Sequence, residues 1–335
     1  MLDLNRKRYL DPIAHKWLEW VKGYLAQKHT NGFKPTLTLG DKTLYFPTHE
    51  EKLKFQCRQN VFGYTQSKKE QRYYFRVLNL LWENIDDIIL ATPPQIDGMI
   101  KAWQKKKSLA YGFLMQLSCV LEPYYEKVSD KFGGKIVNEL GIKTCPYCNR
   151  QFIHAFKGQQ SERPELDHFF PKAIYPVFCL SFYNLIPVCH SCNHVKREKM
   201  IGVNPYNNAF KTAFIITDKR NKRLSKSQIY HLTEKDIRLK FENPSEKEKE
   251  NIEVLGLEDI YNKHTDYVKE LIDKTMAYDK YARQALVTAF QGAGNNPRQV
   301  YDFVWGRHLM TAEYEDRPLS KLTKDILDLL DIKRR

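Results

Sequence analysis

The 335 residues carry 54 Lys+Arg against 40 Asp+Glu, a formal charge of +14, with 42% hydrophobic, 13% aromatic and 28% charged side chains. This composition excludes a disordered tail, a collagen-like repeat and a coiled coil over most of the length, and at about 150 residues per domain it suffices for two units with cores of their own. The most continuous apolar stretch, Ala110 to Leu121, is broken by Gln116 and Ser118 and is too short for a bilayer, while the opening MLDLNRKRYLDP has no apolar core, so the expected location is the cytoplasm.

In chain order, residues 1–140 read as a mainly helical region with a β-hairpin over 36–46, turning at Gly40-Asp41. Tyr74, Val77, Leu80, Leu81 and Ile85 predict a helix over 70–91, stopped by Pro93-Pro94. A second helix is expected over 108–127 with Leu114, Leu117 and Leu121 on one face, and Gly133-Gly134 and Gly141 mark a domain edge. After a central segment, 141–204, come two expected strands, Phe214–Thr217 and Ile229–Leu232, around a loop with five basic residues in eight positions, among them Lys219, Arg220, Lys222 and Arg223. These four are candidate phosphate contacts, or the tip of a solvated hairpin. Residues 243–251 read as a polar linker, 255–290 as helix, and two shorter helices follow Asn296-Pro297 and Pro318.

Charge divides unevenly. Residues 1–140 hold 22 basic and 15 acidic side chains, 141–200 hold 8 and 4, and 201–335 hold 24 and 21, so the short middle segment is the most basic per residue. It also holds four of the seven cysteines as two pairs, Cys145-Pro-Tyr-Cys148 and Cys189-His-Ser-Cys192, 40 residues apart. An odd cysteine count in a long chain with no export signal argues against a disulfide framework, whereas two C-x-x-C knuckles supply four thiolates for a closed tetrahedral zinc site. Cys57, Cys119 and Cys179 lie among apolar neighbours and read as small core residues.

Between and after the knuckles stand Glu165-Leu-Asp-His-Phe-Phe-Pro171, Leu180-Ser-Phe-Tyr-Asn-Leu185 and Asn193-His-Val-Lys196. Taken together, C-x2-C, D-H-x-x-P, N-L and C-x2-C-N-x-x-K resemble the HNH endonuclease family over about 55 residues, Cys145 to Lys199. The resemblance implies a central ββα-metal finger with structural zinc over 141–204; with the helical reading of 1–140 and the basic hairpin and helices read over 205–335, the expected fold is α+β and mostly helical, the finger flanked by helical N- and C-terminal regions.

The residue chemistry suits phosphodiester hydrolysis, which needs a nucleophilic water, a cation and a base. The resemblance makes His168 the general base, Asp167 and Asn193 the ligands of a catalytic Mg²⁺ or Mn²⁺, and Asn184 the brace that holds the histidine. An imidazole is basic enough at cellular pH, Asp167 leaves the opposite side of an extended segment, and an asparagine oxygen completes a hard ligand set. The family's final histidine is replaced by Asn193, and His194 is the second choice for that role. His190 is a further candidate for zinc or phosphate, and Lys196 is either a phosphate contact or an idle surface lysine; His154 reads as structural or surface.

The C-terminal run, Asn204-Pro-Tyr through Arg317-Pro-Leu-Ser-Lys to Ile326, looks like the tail of HNH nucleases of bacterial anti-phage systems, including Septu-type nucleases that work beside an SMC-like ATPase. The chain has no Walker A motif, so ATP dependence would come from a partner. The expected activity is DNA cleavage, by nicking or double-strand cutting; the alternatives are an RNA-directed nuclease, acting for example on tRNA, and a zinc-stabilised binding subunit without catalysis.

Overall fold

The computed structural model describes residues 2–4, 10–30, 36–39, 42–45, 84–105, 118–157, 161–292, 297–306 and 308–332. The architecture is α+β and mostly helical, with small two-stranded sheets. Contacts divide the chain into two compact units, one of Tyr9–Gly141 with Ala155–Ile186 and the other of Met1–Arg8, Ile142–His154 and Pro187–Arg335. These units cut the chain differently from three consecutive segments: the segment 141–204 is shared between them. We call them the histidine unit and the cysteine unit.

The histidine unit opens with α1 (Leu10–Thr30), which buries Leu10, Ala14, Trp17, Leu18 and Val21 at helical spacing. The hairpin of β1 (Thr36–Leu39) and β2 (Lys42–Tyr45) is antiparallel, pairing Thr36 with Tyr45 and Leu39 with Lys42. Of the helix expected over 70–91, residues 70–83 lie outside the described set; α2 (Ile85–Leu90) is its end. Pro93-Pro94 does more than stop it, because the pair opens α3 (Pro93–Lys105), where the missing N–H and fixed φ of proline suit the first turn.

Next, α4 (Ser118–Leu140) runs well past the predicted end at 127, straight through Gly133-Gly134. Those glycines are contact points within the helix. A Cβ on Gly133 would stand 3.4 Å from the Leu166 side chain and one on Gly134 would stand 3.7 Å from the Ala155 Cβ. The edge falls at Gly141, whose φ of +60° ends the helix in the left-handed region. Residues 106–117, with Leu114 and Leu117, lie outside the described set.

Two short strands, β3 (Phe156–Lys157) and β4 (Ser161–Glu162), pair antiparallel and lead to β5 (Glu165–His168). After single 3-10 turns at Pro176–Phe178 and Phe182–Asn184 comes β6 (Leu185–Val188), which forms a two-stranded sheet with β5. Long-range bonds tie these turns to the helices: Trp17 Nε1–H donates to the Leu180 carbonyl at 2.9 Å, Ser181 Oγ to Ile88 at 2.6 Å, and Tyr183 to the Asp11 carboxylate at 2.7 Å.

In the cysteine unit, α5 (His190–Lys196) starts inside the second knuckle, with Cys189 as N-cap. β7 (Phe214–Ile216) pairs antiparallel with a strand at 239–241, not with Ile229–Leu232. Ile229 and Tyr230 belong instead to α6 (Lys226–Tyr230), because Ser225 and Gln228 form a reciprocal capping box that nucleates a helix where β-branched character alone suggests a strand. β8 (Leu239–Phe241) completes the pair. The charged run 243–251 is likewise mostly helix, α7 (Glu246–Val254), started by a Ser245–Glu248 capping box.

The expected helix over 255–290 is three helices: α8 (Leu257–Tyr261), α9 (Thr265–Ala277) and α10 (Lys280–Gly292). The two helices expected after Pro297 and Pro318 are α11 (Pro297–Trp305) and α12 (Ser320–Leu329). Phe214 is the aromatic hub, with ring centroids 4.2 Å from Phe241 and 4.4 Å from Tyr261, and Lys321 lies over it while its Nζ bonds Asp325 at 2.6 Å. Among the described residues no helix is long and apolar enough to cross a membrane.

Candidate functional site

The two knuckles meet in the cysteine unit. The first is a tight turn in which the Asn149 amide bonds the Cys145 carbonyl at 2.7 Å and the Cys145 amide bonds Gln151 at 2.9 Å. The second is the N-terminus of α5. All four cysteines are buried, their sulfurs lie within 4.8 Å of one another, and Cys148 Sγ is 3.9 Å from Cys189 Sγ. A tetrahedral zinc with Zn–S bonds of about 2.3 Å requires sulfurs about 3.8 Å apart, so the cluster is compatible with a structural zinc site.

Burial, and then bonds from neighbouring thiols, push Cys145 well above its ordinary pKa. Thiolates crowded this closely in a buried site need a cation to ionise together. The Arg150 amide donates to Cys148 Sγ at 3.4 Å, and the Tyr261 hydroxyl donates to the Cys148 carbonyl.

Asn149, directly after the knuckle, was not singled out by its sequence. It is buried with φ +49°, and its amide nitrogen donates to Thr144 Oγ1 at 3.1 Å and to the carbonyls of Tyr314 at 2.7 Å and Arg317 at 3.1 Å. Its oxygen accepts from the Lys321 amide at 3.1 Å. One side chain thus fastens residues 314–321 to the knuckle.

The Asp-His pair lies in the histidine unit. Asp167 and His168 end β5, on opposite faces of the strand by its pleat, and both are buried. His168 Nε2 is 3.0 Å from the Cys179 carbonyl oxygen. A carbonyl only accepts, so Nε2 carries the proton and Nδ1 is the basic nitrogen of the neutral ring. The Tyr125 ring meets the imidazole edge-on at 4.4 Å between centroids, and its hydroxyl is anchored on the Leu166 carbonyl at 3.0 Å. Burial pushes the Tyr125 pKa up to about 12, which keeps this phenol neutral.

Asn184 is fully buried and spends its whole amide on backbone. Oδ1 accepts from the Phe170 amide at 2.7 Å, and Nδ2 donates to the carbonyls of Phe170 at 3.1 Å and Phe178 at 3.0 Å, while the Phe169 amide bonds the Asn184 carbonyl at 2.9 Å. The loop that follows His168 is held from both sides. Cys179, expected as a core residue, is buried and supplies the carbonyl that fixes the ring.

The remaining candidates scatter. Asn193 is half-buried within α5, in the cysteine unit, and His190 and His194 are exposed one turn apart with rings stacked at 5.9 Å. Lys196 is fully buried, which fits neither a surface lysine nor an open phosphate contact: its side of α5 faces the core, while His194 and Val195 in the same turn are exposed. Lys219, Arg220 and Lys222 are exposed on a turn organised by Asp218, whose carboxylate accepts from the amides of Arg220 at 2.8 Å and Lys222 at 2.9 Å, while Arg223 is paired with Glu242. His154 is exposed against Phe152; Cys57 and the side chain of Cys119 lie outside the described residues. Among the described residues, the four cysteines are the one cluster of three or more His, Cys, Asp or Glu side chains able to hold a metal.

No protein-family model, curated protein or solved structure matches this chain.

Proposed function

We propose that this chain is a metal-dependent DNA endonuclease of the HNH type, with Cys145, Cys148, Cys189 and Cys192 on a structural zinc. The observation that carries the reading is the fixed tautomer of His168, whose Nε2–H is held by the Cys179 carbonyl at 3.0 Å in a loop clamped by Asn184. A histidine fixed in this way has its basic Nδ1 in one orientation, the requirement for a general base. The chain order β5, β6, α5 also suits a ββα finger.

In the proposed reaction Nδ1 of His168 takes a proton from water as the water oxygen bonds phosphorus. The bond from phosphorus to the 3′ oxygen breaks, and the leaving oxygen takes up a proton, giving 5′-phosphate and 3′-hydroxyl ends. A bound Mg²⁺ or Mn²⁺ would neutralise the charge that develops on the phosphate. Asp167, a carboxylate beside the base, has the hard oxygen such an ion prefers. The family resemblance also assigns the chain as the effector of an anti-phage system beside an ATPase subunit, which co-purification from the host tests.

The test of the activity is plasmid DNA incubated with Mg²⁺ or Mn²⁺. Cleavage is expected to fall by about 10²- to 10⁴-fold in His168→Ala, with zinc content and melting unchanged. Undiminished cleavage by that variant rules out His168 as base; cleavage of RNA and not DNA redirects the reading to an RNA nuclease.

A further inference from the structure

Helix α10 is built unlike its neighbours. Each lysine of α9 and α12 is answered by a carboxylate four residues away: Lys269 by Asp273, Lys274 by Glu270, Lys321 by Asp325 and Lys324 by Asp328. The sequence of α10, KYARQALVTAFQG, has no acidic residue, and none of its thirteen residues is buried. On one face of it, at helical spacing, Lys280, Arg283, Gln284 and Val287 line a cavity of about 510 Å³. The side chains of Lys280, Arg283 and Gln284 have no hydrogen-bond or ion-pair partner among the described residues. Val287 lies two turns, about 10 Å, beyond Lys280 along the axis, so the wall changes from cationic to apolar over the length of a small molecule.

The opposite wall is the buried face of α11, where Val300 and Val304 stand one turn apart with Tyr301 and Trp305 beside them. Both walls are held in place: Phe290 of α10 meets Phe303 of α11 with ring centroids 5.3 Å apart, and Tyr278 meets the Trp305 ring edge-on at 6.5 Å. The acid of the lining, Asp331, is exposed and paired with Lys226 at 3.3 Å, which leaves the charges of Lys280 and Arg283 in excess.

We propose that this cavity is a binding site for a small aromatic anion, its charged group on Lys280 and Arg283 and its flat body between Val287 and the α11 wall. A guanidinium beside an ammonium binds a carboxylate, sulfonate or phosphate through charge-assisted hydrogen bonds, and the Gln284 amide adds a donor and an acceptor. Valines with Tyr301 and Trp305 favour an aromatic body on the other side. A bare inorganic anion would leave that wall unused, and a neutral aromatic would leave the two cations unanswered. Nucleoside monophosphates and other aromatic acids share this chemistry. The site lies wholly in the cysteine unit and does not depend on the endonuclease reading.

Titration of the full chain with anilinonaphthalene sulfonate, an aromatic anion that fluoresces when bound, tests the site. Arg283→Gln removes a charged partner and is expected to weaken binding about tenfold. Val287→Phe adds bulk from a helix that buries nothing, and is expected to weaken it by a similar factor. Trp305→Phe should retain binding under direct excitation while losing most of the emission sensitised through tryptophan. Circular dichroism and melting of the variants check folding. Unchanged binding in Arg283→Gln or in Val287→Phe overturns the proposal, as does undiminished sensitised emission in Trp305→Phe, which would place the probe elsewhere. Displacement of the probe by adenosine monophosphate assigns the site to nucleoside phosphates, and displacement by salicylate alone assigns it to other aromatic acids. Displacement by neither, or equally by inorganic phosphate, overturns it.

Discussion

The cysteine unit and the histidine unit fix their key groups by opposite means. In the cysteine unit four identical side chains converge, and the backbone around them differs between the knuckles: a tight turn at Cys145–Asn149 and the first turn of a helix at Cys189–Asn193. In the histidine unit a single imidazole is oriented by a backbone group, the Cys179 carbonyl, beside a loop whose Phe170 groups Asn184 clamps. A site made of side chains announces itself by residue type and spacing. A site held by carbonyls and amides does not, because any residue could supply them.

The sharpest way to break this contrast is to remove a thiolate. A structural zinc contributes on the order of 10 kcal/mol, comparable with the whole net stability of a domain at about 5–15 kcal/mol. Cys148→Ser, or a strong chelator acting on the native chain, is expected to unfold the cysteine unit, read as lost zinc by atomic absorption and rapid proteolysis within 187–335. Retention of fold and protease resistance after chelation would mean that packing alone holds the four sulfurs together.

Asn184 probes the other side. Asn184→Ala leaves the Phe170 amide and the carbonyls of Phe170 and Phe178 without their side-chain partner in a buried loop, at a cost of about 3 kcal/mol. Thermal melting should show that loss with zinc content unchanged, and DNA cleavage should fall with it. Asn184→Asp restores the acceptor and not the donor, and is expected to recover the Phe170 amide bond while leaving both carbonyls unserved. An Asn184→Ala protein as stable as the parent would mean that the loop holds its own shape.

The same contrast explains what was legible. The knuckles, the hairpin at 36–46 and the late helices were readable because each has a strong local signal: paired cysteines, alternation around Gly-Asp, and proline starts. The strand expected at Ile229–Leu232 and the linker expected at 243–251 were misread because two serine capping boxes outweighed β-branched content in one case and polarity in the other. Gly133-Gly134 looked like a break and serves close packing, a distinction that depends on Leu166 and Ala155, distant in sequence. Asp167, His168 and Asn184 stand out by motif order, whereas Tyr125 and the Cys179 carbonyl, which meet the His168 ring, come from chain positions that no short pattern links. The burial of Lys196 is not legible, because nothing local tells which side of α5 faces the core.

The smallest expected effect compares two histidines. His264 Nε2 lies 3.3 Å from the Arg150 guanidinium, which can only donate, so there Nε2 accepts and the proton sits on Nδ1, the reverse of His168. Burial first, and the Arg150 charge second, hold the His264 pKa below its ordinary value, with Asp266 and Cys148 opposing. The native state therefore favours neutral His264. Its contribution is full above the unfolded pKa of about 6.5 and is lost as pH falls from there toward the lower folded value, because over that window the unfolded chain binds the extra proton. His264 is only half-buried, so solvent screening keeps the effect below about 1 kcal/mol, a shift of a degree or two in melting temperature. Between pH 7.5 and 5.5 the parent should lose slightly more stability than His264→Gln, whose side chain does not titrate. A steeper loss in the variant would reverse the sign and mean that the folded state favours charged His264, with Asp266 and Cys148 outweighing burial and the Arg150 charge.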